Sequence, residues 1–158
     1  MGSGKSTVGK ALAARTGRRY VDNDDALLAA TGQTARQLQE ELGADRLHEL
    51  EVDALALALD DVDPAIIGAA AAVVTVDEGL RQLGRAAHVV WLHADPEVLA
   101  ARVLSGPDHR PVGDDAVSLL AGQLTERAPA YDAVATVRVD DTGTPEQIAA
   151  TILEAIGP

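Results

Sequence analysis

Four short aliphatic runs, spaced by longer stretches of helical periodicity, govern what this chain can fold into. They fall at residues 19–21, 65–67, 88–92 and 136–139, and the middle two read Ala65-Ile66-Ile67 and His88-Val89-Val90-Trp91-Leu92. Near-continuous runs of this kind fit strands covered on both faces, because no position is reserved for solvent. The sequence holds no Phe, one Trp and two Tyr, so its core must be built from Leu, Val, Ile and Ala. Strands alternating with helices then imply an α/β fold, a parallel sheet with helices on both sides.

The helical stretches carry their own punctuation. Residues 5–16 end at Gly17, 24–31 at Gly32 and 35–42 at Gly43, as expected where a helix closes on a left-handed residue. In 45–59, Leu47, Leu50, Ala54, Leu57 and Ala58 recur at helical spacing. Asp95-Pro96-Glu97 supplies a cap, a first-turn proline and an acid for a helix over 96–104, and Thr144-Pro145 opens one over 145–156. Residues 116–127 read as a further helix. Between these last helices, 105–114 hold two Gly and two Pro and read as a loop. With 158 residues and no repeat or linker, a single domain over 1–158 is expected.

Charge narrows the function classes. Thirteen Lys and Arg stand against 25 Asp and Glu, a formal charge of −12. A non-specific grip on nucleic acid or an anionic membrane needs a basic surface, so neither partner is expected. No apolar run reaches the ~18 residues that span a bilayer, and the amino end has no apolar stretch after a basic start. No cysteine is present, which excludes disulfides and thiolate chemistry. His88, His93 and His109 lack ligand spacing, so no histidine metal site is expected. The reading is a cytoplasmic monomer that holds any anionic ligand through a local cluster.

That cluster lies at the amino end. Gly2-Ser3-Gly4-Lys5-Ser6-Thr7 matches the close of the phosphate-binding pattern G-x-x-x-x-G-K-[ST] and runs directly into a helix. Glycines let backbone N–H groups wrap phosphates closely, and the helix amino end adds partial positive charge. Lys5 is expected to neutralise the β- and γ-phosphates, and Ser6 to bind Mg²⁺. The pattern's first glycine would stand two residues ahead of Met1.

Together with Asp22-Asn23-Asp24, Arg110-Pro111 and Arg127-Ala128-Pro129-Ala130-Tyr131, this loop makes the chain resemble the shikimate kinase family over essentially its whole length. The resemblance implies a P-loop kinase sandwich of three layers with strand order 2-3-1-4-5, ATP with Mg²⁺ as phosphoryl donor, and a small hydroxylated carboxylic acid as acceptor. It implies an acceptor-binding region at about 24–60 and a lid at about 105–115. By the same resemblance Asp24 is the base at the acceptor hydroxyl, Asp22 the aspartate near magnesium, and Arg110 the lid arginine that meets the transferring phosphate. Arg102 would stack on adenine, with the Thr144-Pro145 loop as the other wall and Pro145 in contact. Arg127 would grip the acceptor's carboxylate, and Glu51 matches a glutamate of the acceptor domain. Read locally, Asp22-Asn23-Asp24 serves equally well as a helix cap.

Two departures fall in the acceptor half. His48 stands where the family has an arginine against the substrate carboxylate, and a neutral imidazole cannot replace a bidentate guanidinium. Ala69-Ala70-Ala71 stands where the family has three glycines, so the Cβ atoms of Ala70 and Ala71 would crowd the acceptor, and any positive φ there would be costly. A non-catalytic nucleotide-binding relative, or a kinase for another hydroxylated substrate, is therefore a competing expectation. A third departure is architectural. The family's first strand, central in the sheet and leading into the phosphate loop, is missing from the 158 residues, with about ten residues of strand and glycine expected ahead of Met1. The expectation is either an open slot between 65–67 and 88–92 or a sheet closed up to pair them.

Overall fold

The computed structural model describes residues 2–105 and 115–157. Its elements run α1 (Lys5–Thr16), β1 (Arg19–Asp22), α2 (Asn23–Thr31), α3 (Ala35–Leu42), α4 (Ala44–Leu59), β2 (Ala65–Gly68), a 3₁₀ turn (Val73–Thr75), α5 (Asp77–Leu83), β3 (Val90–His93), α6 (Pro96–Ser105), α7 (Ala116–Val134), β4 (Val137–Asp140) and α8 (Pro145–Ile156). Most follow the sequence reading within two residues. The 3₁₀ turn and α5 were not anticipated, because the alanine-rich stretch after β2 masks their start. Helix α7 continues seven residues beyond Arg127 with Pro129 inside it. A proline there removes one intrahelical bond, to the carbonyl of Thr125, and the helix absorbs the loss. Arg127 thus sits within a helix and not at its end.

The strands pair in parallel, β1 with β2 (Tyr20 opposite Ile66, Asp22 opposite Gly68) and β3 with β4 (Trp91 opposite Arg138, His93 opposite Asp140). Among the described residues no ladder joins β2 to β3. Numbered as the second to fifth strands of the expected order, the pairs are 2-3 and 4-5, with the place of the first strand between them. The open slot is the outcome found. It is a hollow of ≈ 870 Å³ walled by Ile66 and Ile67 on one side and Val90 and Leu92 on the other, with Leu12 across one face and Ser3 at one end.

Helices hold the two pairs in register across this cleft. On one face α1 and α8 bury Val8, Leu12, Ile148, Ala149 and Ile152, against which Ile66, Val90, Leu92 and Val137 pack from both strand pairs. On the other, Val52, Leu55, Val73, Val74 and Leu83 meet Ile67, Val89, Tyr131 and Val134. Successive strand residues such as Ile66 and Ile67 point to opposite faces, so three layers follow from the pleat. A third cluster, Leu27, Ala35, Leu38, Leu47 and Ala54, ties α2 and α3 onto α4 and gives residues 24–60 a core of their own.

Protein interiors carry few voids larger than a water molecule. A slot bordered by two unpaired strand edges forfeits ladder bonds and aliphatic contact together. Lengthening the chain ahead of Met1 by an apolar strand-forming segment is therefore expected to raise the melting temperature by about 10 °C, since a domain of this size shifts ~2–4 °C per kcal/mol. Calorimetry of the two chains checks this, and equal midpoints would show that the cleft costs nothing.

Candidate active site

The larger hollow is the cleft, but the residues that carry chemistry gather at a smaller one. Gly2 through Thr7 wrap a hollow of ≈ 190 Å³ whose opposite wall is Ala71. Gly2 and Gly4 hold φ of +72° and +71°, in the left-handed region that glycine adopts without strain. Gly2 is doubly constrained, for a Cβ there would stand 2.9 Å from the carbonyl oxygen of Leu99. Gly4 caps α1 with no side-chain hydrogen bond and no acid follows in the first turn. The first N–H groups of α1 are thus left for an anion in the hollow, with the helix dipole behind them.

Asp22, at the end of β1, connects this loop to the next helix. Its Oδ2 accepts hydrogen bonds from Ser6 Oγ at 2.7 Å and Tyr20 Oη at 2.8 Å, and its Oδ1 accepts from the Asp24 N–H at 3.1 Å. The helix cap that the local reading expects is present: Oδ1 caps α2, while Oδ2 is turned to Ser6 of the phosphate loop. Burial alone would raise its pKa. The bonds from Ser6, Tyr20 and Asp24, with the nearby Lys5 ammonium, outweigh that and hold it below the usual carboxylate range. Asp22 is therefore an anion at neutral pH. A hydroxyl and a carboxylate in contact at the edge of an anion cradle are hard oxygen donors of the kind Mg²⁺ takes.

Tyr20 was missed in the sequence reading, although its position two residues before Asp22 places it on the same strand face. Its ring passes between α1 and β2. A Cβ on Gly9 would lie 2.3 Å from the ring and one on Gly68 2.1 Å from the hydroxyl, so both glycines make room for it. Burial and the adjacent Asp22 carboxylate raise the phenol's pKa, so it stays a donor to that carboxylate.

Asp24 is exposed in the first turn of α2, and His48 is half-buried on α4 beside the buried Leu47. Glu51, one turn further on, is buried. No described non-glycine residue has a positive φ, so the alanine triplet carries no left-handed strain. Ala70 is buried in the apolar cluster with Val52 and Leu55, whereas Ala71 walls the phosphate hollow. The Ala71 carbonyl accepts a bond from Tyr131 Oη at 2.9 Å, and the Tyr131 ring stacks on Trp91 with centroids 5.2 Å apart. Burial raises the Tyr131 pKa against a smaller opposing pull from Arg127, which lies against its hydroxyl. Arg127 Nε is buried with no hydrogen-bond partner among the described residues. A buried guanidinium N–H without an acceptor suits a site for a carboxylate.

On the opposite side of the loop, Arg102 of α6 donates to the Gly2 carbonyl at 3.3 Å and pairs with Asp141, just past β4. Pro145 opens α8 behind Thr144, whose side chain and Gln147 form a reciprocal cap. Arg102 and the loop carrying Pro145 are thus brought together beside the phosphate loop. Arg110 and most of the expected lid lie outside the described residues.

Comparison with known proteins places this geometry in a family. A family model described as shikimate kinase matches residues 1–157. The chain is 34% identical over 155 residues to the shikimate kinase of Corynebacterium efficiens, covering 96% of this chain and 89% of that protein. It is 35% identical over 162 residues to that of Symbiobacterium thermophilum, covering 99% and 91%. Among solved structures, shikimate kinase from Acinetobacter baumannii in complex with shikimate is similar at a TM-score of 0.86 and 26% identity, covering 99% of this chain and 88% of that one. With a match of this extent to small-molecule kinases that share its α/β P-loop fold, the chain belongs to the shikimate kinase family.

Proposed function

We propose that this chain transfers the γ-phosphoryl group of ATP to a hydroxyl of shikimate, as a cytoplasmic monomer. The observation that carries the reading is the phosphate hollow of Gly2 to Thr7 with the Ser6–Asp22 contact at its edge. Lys5 and the first N–H groups of α1 hold the β- and γ-phosphates. Ser6 and Asp22 supply the donors for Mg²⁺, which when bound neutralises charge on the phosphate oxygens. In the transfer the bond from the γ-phosphorus to its bridging oxygen breaks and one to the acceptor oxygen forms. Asp24, exposed at the start of α2, takes the acceptor's proton. Arg127 holds the acceptor carboxylate through its unpartnered N–H, and Tyr131 fixes the Ala71 carbonyl beside it. Arg110 meets the developing charge. Arg102 and Pro145 flank the adenine.

A second reading, a kinase for a different small hydroxylated acid, draws on His48, which leaves the carboxylate with one strong cationic partner where the family has two. The test is ADP formation from ATP and Mg²⁺ with shikimate and a panel of hydroxy acids. Shikimate-dependent turnover is expected, and it is expected to vanish in Lys5→Ala because no other cation stands in the loop. Turnover with another acid alone would favour the second reading. A further expectation concerns affinity: His48→Arg restores a charge-assisted pair worth ~1.5–3 kcal/mol, so calorimetry should show shikimate bound at least tenfold more tightly. Unchanged affinity would mean that position 48 does not face the carboxylate.

A further inference from the structure

Asp141 is one of three buried polar or charged side chains among the described residues, and its own side chain is only 4% exposed. A buried carboxylate is costly unless paired, and its partner is Arg102, whose side chain is 40% exposed. The pair joins three elements. The Asp141 N–H donates to the His93 carbonyl at 2.7 Å, extending the β3–β4 ladder by one bond. The same Arg102 nitrogen that meets Asp141 donates to the Gly2 carbonyl at 3.3 Å. A Cβ built on Gly4 would stand 3.4 Å from Asp141 Oδ2, so the carboxylate lies directly against the phosphate loop.

Two consequences follow. A bare carboxylate beside Gly4 would repel the phosphates that the loop collects, so the charge of Arg102 is used to cancel it. Arg102 is then engaged through one guanidinium nitrogen, while 40% of its side chain stays exposed. A planar cation held at its edge offers a flat face for stacking. Asp141 also stands four residues before Pro145, in the loop that forms the other wall. One carboxylate therefore sets both walls relative to the phosphate loop.

We propose that Asp141 is a positioning and specificity-determining residue of the nucleotide site, one that cancels the charge of Arg102 and presents its flat face to a purine base, leaving phosphate recognition to the loop alone. The inference rests on the reading of the site as one for ATP. It predicts that base and phosphate affinities respond in opposite directions when Asp141 alone loses its charge.

The experiment is calorimetric titration of ATP and of inorganic tripolyphosphate into wild type, Asp141→Asn, Arg102→Ala and the double variant. In Asp141→Asn the freed guanidinium turns to phosphate, so the ratio of ATP to tripolyphosphate affinity is expected to fall at least tenfold. A parallel loss of both ligands, as a merely structural role would give, or a ratio within twofold of wild type, overturns the proposal. Should Asp141→Asn fail to fold, the other variants carry the test. Arg102→Ala leaves the carboxylate bare and is expected to lose tripolyphosphate affinity at least fivefold, and adding Asp141→Asn is expected to restore it. No restoration overturns the proposal. A wild-type chain that binds neither ligand would overturn the nucleotide reading itself, and this proposal with it. ATP binding with an unmoved ratio removes only the role of Asp141.

Discussion

The carboxylate of Asp22 is the contact on which fold and site both depend. Through Oδ2 it fixes Ser6 and so the start of α1; through Oδ1 it starts α2. Tyr20 braces it from the same strand, and the ring needs glycine at both Gly9 and Gly68 to pass. The phosphate helix, the first strand pair and the helix bearing Asp24 therefore meet at one anion. Its charge is sustained by the donors around it.

Around that contact the molecule is held together more by helices than by its sheet. Two parallel pairs of strands stand apart across an apolar cleft, and α1 with α8 on one face and α4, α5 and α7 on the other span the gap. The phosphate loop opens at one end of this cleft, where Ser3 lines it. On its other flank the loop is tied to α6 and to the end of β4 through Arg102 and Asp141. The loop is thus braced laterally, from β1 and from β4, by two carboxylates: Asp22 accepts from Ser6, whereas Asp141 is paired with Arg102.

Much of this was legible in the sequence, for identifiable reasons. The four strands and the capped helices announced themselves by apolar runs, glycine stops and Pro-first starts, which are local signals. The cleft was legible because four apolar runs stand where the resembled fold has five strands, the central one unaccounted for. What escaped were pairings between distant segments. Asp141 meeting Arg102, and Tyr131 meeting the Ala71 carbonyl, leave no mark at any spacing along the chain. Within the alanine triplet, the division that puts Ala70 in the core with Val52 and Leu55 and Ala71 at the phosphate hollow is likewise set by distant partners. Helix α7 outran its expected end because a proline in mid-helix costs one bond, which packing against the core repaid.

The measurement that bears most directly on this account is ATP affinity with and without Mg²⁺ in wild type and Asp22→Asn. The asparagine can still cap α2 through its carbonyl oxygen but offers the metal no charge. The account predicts that Mg²⁺ strengthens ATP binding in wild type, that the variant loses at least tenfold of that enhancement, and that metal-free affinity does not fall. An enhancement of equal size in the two proteins would contradict it.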